Sequence, residues 1–449
     1  MARLSSHSLS ILIETSIKEK SFTVLKNTLQ ASRPEDIAEA MDGFPAEIII
    51  ESLTHISGKK YFEVFEHIDL DMQVKLTHHL NRKQTIKILE ELSPDDRVDL
   101  LDRLPDKTVD MLLPLMAQAE RDEAKRLLQY EEDTAGAIMT TEYAALPISY
   151  TSSEALQHLQ KIAPHSETIY YLYITDENKI LRGRLSLKEL ILAYPYERIQ
   201  DIMKTDVISV DSGTDKEDVA KQLAKYDLVA IPVVDTENKL VGIVTIDDAM
   251  DVVVEEQTED IHRMGGIDPI EIPYLKVSFW SLARNRGLWL FILFFSVLIT
   301  VGVLKHFHQT LEAAVALAYF IPLIISSGGN TGSQSVTLIT RALAVGDVQR
   351  KDFKKVVIRE TLMGCVLGIL LGGVGFLCAL IMGTSQAIYL SVSIAMFGVV
   401  LSGSLIGGML PIILEKMGLD PAIMSSPLVA SVVDVIGVLI YFNVAKIFL

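Results

Sequence analysis

Ser431-Val-Val-Asp434-Val-Ile-Gly437-Val-Leu-Ile-Tyr-Phe442 places one carboxylate in the middle of an apolar stretch near the end of the chain. Inside a bilayer such a group costs about 2.5–3.5 kcal/mol even on the lenient insertion scale, so Asp434 is expected to face a bundle interior or a wet path and to pair with something positive. No Lys, Arg or His stands in another apolar core of the chain. A passing cation is therefore the expected partner, and the competing reading is a protonated carboxyl hydrogen-bonded to a neighbouring helix.

Working outward, residues 287–304, 313–325 continuing towards 340, 361–383, 387–414 and 421–447 are each apolar enough for a span of ~20 residues. The connection after the second carries Arg341, Arg350, Lys351, Lys354, Lys355 and Arg359, whereas Thr384-Ser-Gln386 after the third is uncharged. The bias of basic residues to the cytoplasmic side then puts the basic loop and the N-terminal half in the cytoplasm and the C-terminus outside. The start of the chain lacks a basic region followed by an apolar run and a cleavage site, which agrees with a cytoplasmic soluble part. Gly368 with Gly372 and Gly403 with Gly407 form small-residue pairs that allow close helix approach.

The second span holds Pro322-Leu-Ile-Ile-Ser-Ser-Gly-Gly329-Asn330-Thr-Gly-Ser-Gln334. Three glycines and two amides predict irregular backbone, which membrane depth tolerates only where it is buried in protein or lines a cavity. Freed carbonyls and amide oxygens are hard ligands of the kind Mg²⁺ takes, directly or through its waters. The competing reading is a tight helix crossing.

Before residue 276 the texture is different. Of the net charge of −17, residues 1–275 carry −22 and the rest +5. An acidic soluble part disfavours nucleic acid and suits cations. From about Phe22 to Gln129, leucine-like residues recur at helical spacing between turn signals such as Pro34-Glu-Asp-Ile and Ser93-Pro-Asp95-Asp96, which predicts a small superhelical stack of short helices. Most of its acids read as helix caps.

An internal repeat of about 60 residues follows. Met139-Thr-Thr is answered by Met203-Lys-Thr, and Asp176-Glu-Asn-Lys-Ile-Leu-Arg-Gly183 by Thr236-Glu-Asn-Lys-Leu-Val-Gly242. Each copy reads as strand, helix, two strands around an Asn-Lys turn, and a second helix. With Val229-Ala-Ile-Pro-Val-Val-Asp235 and Leu240-Val-Gly-Ile-Val-Thr-Ile-Asp247-Asp248, this α/β repeat resembles a tandem CBS pair. Such pairs are regulatory, commonly dimeric, and often bind adenosine nucleotides, so ATP is a possible ligand; the first copy has Gly183-Arg-Leu-Ser where the second has Gly242-Ile-Val-Thr.

Asp247, Asp251, Glu255 and Glu259 are four apart, with Asp248, Glu256 and Asp260 beside them, and so share a helix face where like charges repel. Gly265-Gly266 supplies a stop. A solvated face is the bland explanation, but this helix joins the soluble part to the first span. Cys365 and Cys378 lie in one apolar span as small buried residues.

An acidic helical segment (residues 1–130), a CBS pair (131–252), an acidic connector (253–275) and five spans (276–449) carrying the Gly-Gly-Asn-Thr-Gly-Ser-Gln and Val-Asp434-Val-Ile-Gly motifs together resemble the MgtE family of magnesium channels and transporters. The resemblance implies a multidomain membrane protein with an all-α N-terminal superhelical domain, an α/β CBS pair, a connecting (plug) helix and a five-helix transmembrane domain. It also implies a plasma-membrane homodimer with its pore on the two-fold axis and no catalytic residues. Asp434 takes the pore role, with Ala430, Gly437, Gly329 and Asn330 beside it. Asp95, Gly136, Asp215, Asp227, Asp248, Asp251, Glu255, Glu259 and Asp260 take the place of a cytosolic Mg²⁺ sensor that closes the pore.

Three other functions fit less well. An intramembrane aspartyl protease needs two carboxylates in one site, and the spans hold one Asp. An anion path wants positive groups that the spans lack. Another divalent ion such as Co²⁺ or Mn²⁺ remains the alternative cargo, although soft metals favour Cys, Met or His and Met424 and Cys365 form no evident cluster.

Overall fold

A computed structural model describes residues 5–270, 274–423 and 425–449 and divides the chain into two compact units, up to residue 253 and from residue 254. Met424 and part of the connector therefore lie outside the described residues.

The first unit opens with ten short α-helices between Ser6 and Leu127 among the described residues. Their ends follow local chemistry. Pro34 and Pro94 occupy first-turn positions, where the missing N–H costs nothing. Asn81 and Gln84 satisfy each other's backbone N–H groups in a capping box. One apolar face of each helix builds a continuous core from Leu9, Ile13, Leu25 and Ile37 through Phe65, Leu76 and Leu89 to Leu101. Arg97 is buried beside this core, but its guanidinium donates to Leu89 O at 2.6 Å, Leu92 O at 2.9 Å and Glu123 at 3.1 Å, which removes the desolvation penalty.

Two three-stranded sheets follow, and their likeness explains the sequence repeat. Strand β1 (Tyr143–Pro147) pairs parallel with β2 (Thr168–Thr175), which pairs antiparallel with β3 (Leu181–Ser186). Likewise β4 (Val210–Asp211) pairs parallel with β5 (Ala230–Val234), and β5 antiparallel with β6 (Leu240–Thr245). At both β-turns an aspartate accepts two backbone N–H bonds: Asp176 from Asn178 and Ile180, Asp235 from Glu237 and Lys239. The two copies exchange their leading segments. Thr140 pairs with Ile243 of the second copy and Lys204 with Arg184 of the first. Gly242 and Gly183 make room for this: a β-carbon would stand 2.5 Å from Met139 Sδ in one case and 2.7 Å from Met203 Sδ in the other.

In the second unit five helices have the length and hydropathy of membrane spans: Phe279–His306, Val315–Ala344, Arg350–Ile381, Gln386–Lys416 and Ser426–Phe448. The first is exposed along most of its length, with Thr300 its one buried residue. The fourth span is central, packing against the second, third and fifth. Glycines set these contacts, though not as mutual pairs. Gly368 and Gly372 of the third span lie on Phe397 and Ser393, whereas Gly403 and Gly407 face Gly328 and Gly332 of the second. A β-carbon on Gly407 would lie 2.3 Å from Gly332 O, so the two backbones touch.

The expected irregular backbone at Gly328–Gln334 is corrected by this packing. Residues 321–344 form one unbroken α-helix. Gly328 and Gly332 serve close approach, since β-carbons there would meet Val399 Cγ1 at 2.4 Å and Val429 Cγ1 at 3.1 Å. With every backbone carbonyl of that stretch engaged in the helix ladder, the polar atoms left for an ion are side chains.

Candidate functional site

In the membrane unit, Gly329 brings the second span against the fifth. A β-carbon on Gly329 would stand 3.3 Å from Ala430 Cβ and 3.4 Å from Asp434 Oδ1, so these three residues form one surface. The Asp434 carboxylate is half-buried and has no hydrogen-bond or ion-pair partner among the described residues. The neighbour-bonded carboxyl expected as its competing state is thus not formed. Gly437, one turn on, packs against Val399 and Ile324 instead.

Asn330 is exposed, with its amide 3.3 Å from Ser326 Oγ. Ser326, Asn330, Gln334 and Thr337 are all exposed and recur every three or four residues on the second span, so they form a polar stripe along one helix face. Ser333 Oγ donates to Ser426 O at 3.2 Å, and Thr337 Oγ1 lies 3.3 Å from Ser426 Oγ, which ties this stripe to the start of the fifth span. Lipid would not solvate such a stripe, so a polar medium or a protein partner must. The two amides were visible in the sequence; Ser326 and Thr337 were not singled out, although they stand four residues before Asn330 and three after Gln334 on the same helix face.

The first unit concentrates its acids where the short helices meet the CBS pair. Asp95 and Asp96 occupy the first turn of the helix Pro94–Arg103. Asp95 Oδ1 is buried and accepts no hydrogen bond, and desolvation, then the charges of Asp96 and Asp248, raise its pKa well above the usual carboxylate range. Desolvation and the neighbouring Glu66 raise Asp96 to about 7, against the stabilising Ser93 hydroxyl 2.8 Å away. Asp248 is raised to about 6 by desolvation and by Asp247 and Asp96. Glu167 is raised by desolvation and by Asp247, Asp248, Glu142 and Asp96. Desolvation with Asp96 and Asp248 takes Asp99 to about 6 even though its side chain still reaches solvent.

Carboxylates that repel one another and leave a buried oxygen without a donor have the chemistry of a cation site. Among the described residues no three His, Cys, Asp or Glu converge closely enough to enclose a bare ion. Mg²⁺, however, keeps several waters and is held by one or two carboxylates, so pairs such as Asp95 and Asp248 fit it. Glu66, Asp99, Glu142 and Glu167 join this group unassigned by sequence reasoning, because their nearness is tertiary, whereas Asp96 and Asp247 stand next to Asp95 and Asp248 in the chain.

The other expected sensor residues are dispersed. Gly136 is buried against the Tyr130 ring, with its N–H donating to Ser212 O at 2.9 Å. Asp215 caps the helix Lys216–Lys225 by accepting from Glu217 N. Asp227 is exposed in the left-handed region at φ 52°. Asp251, Glu255, Glu259 and Asp260 lie on one helix, Ile246–Met264, which runs unbroken across the expected boundary at 252/253 and stops where Gly265 and Gly266 donate to Ile261 O and Arg263 O. Within the second unit, Arg263 pairs with both Glu259 and Asp420.

Three family models match: "Divalent cation transporter" over residues 321–444, "MgtE intracellular N domain" over 32–133 and "CBS domain" over 199–255. Magnesium transporter MgtE of Thermus thermophilus is 40% identical over 448 residues, 98% of each chain. The protein of that name from Bacillus subtilis is 31% identical over 94% of each chain. Among solved structures, the cytosolic domain of the Mg²⁺ channel MgtE in complex with ATP covers 54% of this chain at 38% identity with a TM-score of 0.52. The soluble part of a magnesium transporter covers 56% at 31% identity, also with a TM-score of 0.52. With whole-length identity of 40% and matches to the helical, CBS and membrane parts in the same order, the chain belongs to the MgtE family of magnesium transporters.

Proposed function

We propose that this chain is a Mg²⁺-selective uptake channel or transporter of the plasma membrane that cytosolic Mg²⁺ closes. The observation that carries the reading is Asp434, unpartnered and set against Gly329 and Ala430, beside a polar stripe that lipid cannot solvate. A second copy facing the first across a two-fold axis would enclose that stripe and bring two Asp434 carboxylates to one path. Mg²⁺ dehydrates reluctantly, so carboxylates and side-chain oxygens that hold its waters select it without stripping them. The basic connection between the second and third spans supports an orientation with the soluble half in the cytoplasm and the C-terminus outside.

Closure follows from the acidic group in the first unit. Without a cation, Asp95, Asp96, Asp248 and Glu167 are buried near one another's charges, and both effects raise their pKa values. Mg²⁺ would offset that repulsion and draw the helical domain onto the CBS pair, favouring whichever state brings the carboxylates together. Asp251, Glu255, Glu259 and Asp260 extend the same response along the connecting helix. An adenosine nucleotide at the CBS pair fits Arg184, whose guanidinium stacks 5.2 Å from the Tyr171 ring centroid, and a relative's cytosolic domain was crystallised with ATP.

Reconstitution in liposomes tests the reading. Mg²⁺ influx that falls as Mg²⁺ on the side of the soluble half rises is the expected result; an absence of divalent flux at any concentration would refute it.

A further inference from the structure

One carboxylate in the membrane unit has no part in the path just described. Glu360, in the first turns of the third span, accepts hydrogen bonds at Oε2 from Ser335 Oγ of the second span at 2.7 Å and from Ser404 Oγ of the fourth at 2.6 Å. Ser404 Oγ also lies 3.1 Å from Glu360 O. Both serines are buried. Gly408 leaves the space, since a β-carbon there would come within 2.5 Å of Glu360 Cγ. Three helices thus meet on one carboxylate oxygen.

What this adds to the packing is register. Gly328 and Gly332 lie against Gly403 and Gly407 backbone to backbone. Glycines permit close approach, yet they give a helix no projecting group to stop it sliding along its neighbour. Two directional hydrogen bonds from different helices to one carboxylate oxygen fix the axial position. Ser335 and Gly329 belong to the same unbroken helix, six residues or about 9 Å apart along its axis. Any slide of the second span past the fourth therefore carries Gly329 and Asn330 past Asp434.

We propose that Glu360 is a positioning residue: it clasps Ser335 and Ser404 and thereby sets the placement of Gly329 and Asn330 against Asp434 on which ion selectivity depends. This inference rests on the ion path proposed above.

The test compares Mg²⁺ and Ca²⁺ influx into liposomes holding the full chain, per amount of folded protein, for the wild type, Glu360→Gln, Glu360→Ala and the double variant Ser335→Ala with Ser404→Ala. If the wild type carries no divalent ion, the ion path itself is refuted and the clasp with it. Given wild-type flux, Glu360→Gln retains an oxygen that accepts both hydroxyls and should keep the Mg²⁺ preference. Glu360→Ala and the serine pair should lose about tenfold of that preference and raise the half-saturating Mg²⁺ concentration, the scale of one buried hydrogen bond. A residue that merely holds the fold would lower the yield or maximal flux with preference and half-saturation unchanged, and that result overturns the proposal. Glu360→Gln as impaired as Glu360→Ala overturns it too, because the charge and not the clasp would then matter. If Glu360→Ala does not assemble, the serine pair decides: unaltered preference there sinks the clasp.

Discussion

Gly329 and Asp434 lie in contact across the second and fifth spans, with 3.4 Å between Oδ1 and the place a β-carbon on Gly329 would occupy. A glycine here leaves the carboxylate uncrowded on the side of the second span. A bulkier residue would crowd the one carboxylate of the fifth span.

Asp434→Asn should therefore abolish Mg²⁺ flux while leaving the yield of folded protein unchanged or higher, because a neutral amide is easier to insert and only the ion loses its counter-charge. Liposome flux together with the size-exclusion profile checks both halves. Flux equal to wild type would remove Asp434 from the path.

The third and fourth spans supply a paired comparison of glycines. Gly407→Ala puts a methyl group where Gly332 O stands 2.3 Å away, so the second and fourth spans must separate, and an overpacked contact of this kind costs about 1–3 kcal/mol. At Gly373 nothing lies within 4 Å, so Gly373→Ala should be neutral or gain up to about 1 kcal/mol from helix propensity. Thermal unfolding in detergent measures the two. Equal effects would show that the close backbone contact does not limit stability.

These contrasts mark what the chain discloses before it is folded. The five spans, the lone Asp434, the twofold repeat and the acidic face of the connecting helix are all local patterns, with periods or composition that a single stretch displays. Glu360 is not of this kind. It stands next to Arg359 at the end of a basic loop, and its partners are 25 and 44 residues away. Asp96 of the helical domain and Glu167 of the CBS pair likewise resemble helix-capping or loop acids until the two domains are brought together. The glycines at 328, 329 and 332 were conspicuous but ambiguous, since glycine serves both broken backbone and close approach. Only the presence of Val399, Gly403 and Val429 across the contact decides for the second.

The acidic group makes stability depend on pH with a definite sign. Asp96 is raised from its ordinary value to about 7. The stability it contributes is fully present below the unfolded carboxylate pKa near 4 and is lost as pH rises through about 7. Without divalent ions, the unfolding temperature of the soluble half should fall between pH 5 and pH 8, by about 2–4 °C for each kcal/mol lost. Millimolar Mg²⁺ should restore it, and the increment should grow with pH as fewer protons compete with the ion for the carboxylates. A Mg²⁺ increment independent of pH would disconnect the ion from these carboxylates.

Neutralising the same group should change both the resting state and the response. Asp95→Asn combined with Asp248→Asn removes two mutually repelling charges, one of which has a buried oxygen without a donor. Two consequences run in opposite directions. Less repulsion stabilises the soluble half in the absence of Mg²⁺, so its Mg²⁺-free unfolding temperature should rise above that of the wild type. Fewer charges bind the ion, so the increment from added Mg²⁺ should shrink. Because a ligand shifts an equilibrium only by its differential affinity for the two states, the flux curve should also flatten, with closure by Mg²⁺ on the side of the soluble half becoming incomplete or needing a higher concentration. Flux through the full-length variant at low and high Mg²⁺, measured beside its unfolding temperature, separates this from a damaged fold, which would lower the unfolding temperature under both conditions. A variant that is stabilised without Mg²⁺ yet closes at the wild-type concentration would place the sensor elsewhere, and the Asp251, Glu255 and Glu259 face of the connecting helix would then be the next to neutralise.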